Sequence, residues 1–139
     1  MDKYESVLRD MKQILETISE VNKVSFGYPK PITEEDTFTS IYIAPTGDTF
    51  ELVKPGYNAS TYDNVLYIKL LININCAEDD LYWVTIRRKV IDAVLEDSPI
   101  WSSIIDRNIV SAAYDDYINY PLRELDILFE FKLREDCVI

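Results

Sequence analysis

The chain has 139 residues, a formal charge of −11, two cysteines, three glycines and no histidine. Without imidazole there is no Ser-His or Cys-His nucleophile pair and no HExxH metal site, and Gly27, Gly47 and Gly56 stand too far apart for a P-loop or a GxGxxG turn. The acidic balance opposes grip on a phosphate backbone or on an anionic membrane, while 47% hydrophobic and 28% charged residues are the mixture of a folded globular chain.

The predicted elements follow in order. Tyr4, Val7, Leu8, Met11, Ile14, Leu15, Ile18 and Val21 recur at steps of three and four, an amphipathic helix that ends before Asn22 or Lys23. Val24-Ser25-Phe26 reads as a short extended piece, and Gly27-Tyr28-Pro29-Lys30-Pro31 excludes helix because each proline lacks a donor. A strand is expected over 38–44, a turn at Pro45-Thr46-Gly47-Asp48, and a resumed strand over 49–53. The stretch 54–64 is the most loop-like of the chain, with Pro55, Gly56, Asn58, Ser60 and Asp63 around Tyr57 and Tyr62.

Over 65–76 the alternation is strict: Leu66, Ile68, Leu70, Ile72, Ile74 and Cys76 share one face. Its expected partner, across the 54–64 loop, is the preceding strand, giving a long hairpin. Asp79 or Asp80 is suited to cap a second helix carrying Leu81, Val84, Val90, Ile91, Val94 and Leu95. Ser98-Pro99 starts a fresh turn with Trp101 on its apolar side. Residues 109–114 read as extended, 115–121 as a turn, and 125–133 as a half-buried strand with Leu125, Ile127, Phe129, Phe131 and Leu133 on one face. Grouped strands with two main helices give an α+β class over a single domain, 1–139: a mixed or antiparallel sheet with a long hairpin, covered on one face by two main helices.

Few side chains suggest chemistry. Glu34-Glu35-Asp36, Glu78-Asp79-Asp80 and Asp115-Asp116 are acidic enough to raise a glycosidase pair or an oxygen-ligand metal site. None has the spaced EF-hand pattern, and solvated loops and helix caps account for them. Arg87, Arg88 and Lys89 point in different directions on a helix and form no single basic patch. Cys76 and Cys137 have no CxxC spacing, no signal peptide opens the chain, and no apolar run reaches the ~18 residues of a membrane span. Cytoplasm is therefore the expected compartment, and no cofactor or metal is expected. The tyrosines around 54–64 are of the kind enriched at protein interfaces. Lys54, Tyr57, Tyr62, Asp63 and Asn64 are the candidate interface residues.

The succession of elements resembles the tail-terminator (tail-completion) proteins of long-tailed bacteriophages. The residues that carry the resemblance are the opening helix, Phe38-Thr39-Ser40-Ile41-Tyr42-Ile43-Ala44-Pro45, the long hairpin into 65–76, Asp79-Asp80-Leu81, Ser98-Pro99-Ile100-Trp101 and the closing strands to Leu133. The resemblance implies a non-enzymatic structural protein of the virion tail, assembled in the host cytoplasm. It also implies a hexameric ring that meets the tail-tube protein on one side and a head-closure or neck protein on the other. Net negative charge would keep the lumen from holding the phage DNA that travels through it. Two alternatives stay open: a head-closure or neck ring component of the connector, and a small acidic metal-binding domain.

Overall fold

The structure, a computed structural model, describes residues 2–28, 37–57, 59–101, 104–115 and 121–138. Helix α1 (Lys3–Glu16) begins at Asp2, whose carboxylate accepts the Tyr4 and Glu5 N–H groups at 2.8 and 3.3 Å, which satisfies two of the orphan donors of the first turn. Strands β1 (Lys23–Phe26), β2 (Ser40–Lys54) and β3 (Ala59–Asn75) follow, then helix α2 (Tyr82–Leu95), a short 3-10 turn (Pro99–Trp101), and strands β4 (Asp106–Asp115) and β5 (Leu122–Val138).

The five strands form one mixed sheet in the order β1-β2-β3-β5-β4, with β1 parallel to β2 and every other pair antiparallel. Because β5 inserts between β3 and β4, the segment β3-α2-β4 is a split crossover, and its helix packs against β4 and β5. Rows of residues across the ladder, such as Ile43–Leu70–Ile127, are buried on the helix-facing side. Val7, Met11 and Leu15 of α1, and Ile86, Val90 and Val94 of α2, close over them in a single apolar cluster. The other face carries Tyr42, Tyr67, Lys69, Leu128 and Glu130, all half-buried. This is the expected α+β class with both helices on one face. Trp101 lies in the core as expected, its ring centre 5.7 Å from that of Phe131.

Several local expectations are corrected. The opening helix stops at Glu16 rather than near Val21, because the Thr17 N–H and hydroxyl both turn back to the Ile14 carbonyl and the chain tightens there; Ile18 and Val21 still pack on the core from the following turns. The stretch Pro45-Thr46-Gly47-Asp48 is no turn. It is a bulge inside β2, with the register shift falling between Pro45 and Gly47. β1 leaves off opposite Ile43, so from there on β2 is, among the described residues, an edge strand, where proline and a bulge are both tolerated. Gly47, at φ +150°, adopts a backbone there that other residues rarely take.

The 54–64 loop shrinks to residues between Lys54 and Ala59, because the ladder continues through Leu52↔Tyr62 and Lys54↔Thr61. Asp79 does serve the start of α2, but one turn early: its carboxylate accepts the Leu81 N–H at 3.0 Å, and Leu81, at the cap position, offers no side-chain bond.

Candidate interaction surfaces

Strands β2 and β3 run on past the helices as an arm, and β5 pairs with β3 along it as far as Ala59↔Val138. At its root, the Asn64 side-chain amide donates to Asp48 Oδ2 at 2.9 Å and to the Thr49 carbonyl at 3.1 Å. The α1 end is tied to the same place, where Lys3 Nζ donates to the Arg134 carbonyl at 2.6 Å. Burial, with Asp48 nearby, raises the Tyr4 phenol above its ordinary pKa. At the tip, a Cβ added to Gly56 would overlap the Ala59 carbonyl, so the turn requires glycine.

The expected interface residues therefore fall into different settings. Lys54 is exposed at the end of β2, and Tyr57 stands 98% exposed at the tip. Tyr62 is half-buried on β3, edge-on to Phe50 at 6.3 Å between ring centres. Asp63 and Asn64 are buried, Asp63 accepting from Arg134 Nε at 3.1 Å and Asn64 bonded as above. Tyr57 and Lys54 are thus open to solvent, whereas Asp63 and Asn64 serve the arm's own integrity.

The residues missed by sequence reasoning are apolar ones standing at the sheet edges. Twelve large apolar side chains are exposed among the described residues. Phe26, Tyr28, Phe50, Leu52, Val53 and Tyr57 lie on or next to β1 and β2. Ile105, Ile109, Val110 and Tyr114 lie on or next to β4, and Leu81 and Val84 lie at the start of α2. There Trp83 of α2 stacks on Tyr114 at 4.2 Å. Among the described residues the two central strands, β3 and β5, contribute none. The signal in the sequence was weak: Phe50 and Leu52 alternate with polar neighbours as core residues would, and nothing local says that the helices end before reaching them.

The acidic runs show no convergence. Glu78, Asp79 and Asp80 are exposed ahead of α2, beside a shallow hollow of about 400 Å³ lined also by Asn75 and Tyr82. Among the described residues no three cysteine, aspartate or glutamate side chains are placed to share a metal ion. The acidic residues 34–36 and residue 116 lie outside the described residues. A larger open cleft, about 620 Å³, runs between the end of α2 and β4. The half-buried cation that lines it is already used: Arg107 donates to the Val94 and Glu96 carbonyls, both at 2.8 Å, and to Asp97 at 3.0 Å, which closes the free carbonyls at the end of α2. Of the basic triplet, Arg88 pairs with Asp92 at 3.6 Å, and Lys89 reaches across to Glu20. Cys76 is buried in the core, where loss of solvent raises its thiol pKa.

No protein-family model matches the sequence, and no curated protein matches it. Among solved structures, a chain from the virion of a native gene transfer agent particle is similar, with a TM-score of 0.51 at 12% identity, covering 95% of this chain and 91% of that one. The likeness is one of fold. Among the described residues no helix is long and apolar enough to cross a membrane.

Proposed function

We propose that the protein is a structural component of a phage-type virion, a tail terminator that forms a hexameric ring on the last ring of tail-tube subunits, ends tube growth and offers the surface on which the head docks. The observation that carries this reading is the near full-length likeness of its fold to a chain of a gene transfer agent virion, combined with the order of elements that resembles the tail-terminator family. The exposed arm and the apolar sheet edges are consistent with it, since a protein that works by assembly must present surface to its neighbours.

The mechanism would be geometric. A ring closes when each copy uses two different surfaces in rotation. One of the ring's two flat faces then matches the tube subunit and the opposite one does not, so addition stops. The net charge of −11 would suit a ring through whose channel DNA passes without being held. No side chain acts as catalyst in this scheme.

Electron microscopy of the purified protein mixed with tail-tube subunits tests it. The expected result is tubes that carry one extra ring at a single end and stop growing in its presence. Tubes that lengthen as freely with the protein as without it would overturn the tail-terminator role, and attachment to the head connector in place of the tube would move the protein to the neck.

A further inference from the structure

We infer that the β1/β2 side of one copy docks on the β4 side of a second copy, head to tail, with Phe50 of the first packing against Ile105 of the second. The inference rests on the ring reading above and gives that ring its contacts.

Three observations favour a second copy as the occupant. The first is where the apolar surface lies: among the described residues, six exposed large apolar side chains stand on or next to β1 and β2, four on or next to β4, and none on the strands between. Surfaces on opposite sides cannot form one self-complementary patch, so they suit a heterologous contact, the kind that closes rings.

The second is the main chain. Past Ile43, β2 has no strand beside it on the side away from β3, and β4 has none on the side away from β5, among the described residues. The alternation β2, β3, β5, β4 makes β2 and β4 run in opposite directions. Copies set side by side in one orientation therefore bring β4 of one against β2 of the next as an antiparallel pair, the commoner and slightly stronger pairing. The levels also match. Thr49, Val65, Lys132 and Asp106 are one cross-strand row, so Phe50 and Ile105, one residue beyond it on each side, stand at the same height.

The third is size. With Phe50 54%, Leu52 53% and Tyr28 68% exposed, the β1/β2 set offers on the order of 500 Å² of apolar surface. At the apolar fraction usual for interfaces this corresponds to about 800 Å² per side, the standard size of a stable contact.

The test uses two single variants of the full chain, Phe50→Lys and Ile105→Lys, each blocking one side of the contact, with light scattering from micromolar to millimolar concentration. Wild-type protein is expected to assemble and each variant alone to stay monomeric. An equimolar mixture of the two variants is expected to form dimers and go no further, because it restores one intact junction per pair. That rescue also shows that both variants fold; should a lysine prevent folding, Phe50→Ser and Ile105→Ser take its place.

Wild-type protein that stays monomeric, a mixture that stays monomeric, or variants that assemble like wild type would each overturn the inference. A closed ring that both substitutions leave intact would overturn these surfaces and keep the ring reading. Open chains that obey the mixing rule would uphold the surfaces and remove the ring.

Discussion

Asn64 holds the root of the arm closed. Its amide is buried and bonded twice, so Asn64→Ala leaves Asp48 and the Thr49 carbonyl short of a donor. The expected loss is about 1–3 kcal/mol, read as a lower urea midpoint. The neighbouring ion pair is worth less, because Arg134 is more than half exposed and water screens the contact with Asp63. Glu20 adds a pH dependence. Lys89, then Ser19, donates to its carboxylate and holds it below the ordinary carboxylate range. A depressed folded-state pKa stabilises the fold above the unfolded-state value and ceases to do so as pH falls through the folded one. Urea midpoints compared at neutral pH and below about pH 5 should therefore fall less for Glu20→Gln than for wild type.

Among the elements, the central strands outweigh the helix ends. Phe129→Ala, in the core of β5, is expected to cost about 3–5 kcal/mol, against about 1 kcal/mol for Asp2→Ala at the α1 cap; guanidinium melts of the two variants give the comparison. The same contrast explains what could be read from the sequence. Strict alternation at Leu66–Ile68–Leu70 and at Ile127–Phe129–Phe131 is visible because each strand buries one face under helices and is paired on both edges. The arm was hidden because its polar residues look like loop residues. Asp63 and Asn64 are tolerated in a strand only because Arg134 and Asp48 answer them, and those partners are distant in sequence. Pro45 and Gly47 carry a turn signal that the long β2–β3 pairing overrides, turning it into a bulge. The apolar edges could not be told from core, since periodicity reports a face and not what covers it.

At the scale of the molecule, the arm and the body separate two requirements. Replacing residues 50–62 by a two-residue turn keeps the helices and their core intact, so circular dichroism of the shortened chain is expected to show a folded body, while the limit on tube length that the tail-terminator proposal assigns to the protein is expected to vanish. Tube lengths unchanged from those with wild type would place the tube contact elsewhere. One feature of the sheet sets how the arm behaves. β3 is a single strand of 17 residues, about 55 Å long, paired with β5 along its whole length and with β2 from Thr61 to Asn73. No hinge interrupts it, and its amides are expected to exchange with solvent most slowly of all. A load applied at Tyr57 is therefore not absorbed by bending near the tip; it tilts the entire subunit like a stiff lever, and whatever grips the tip also sets the angle of the opposite end.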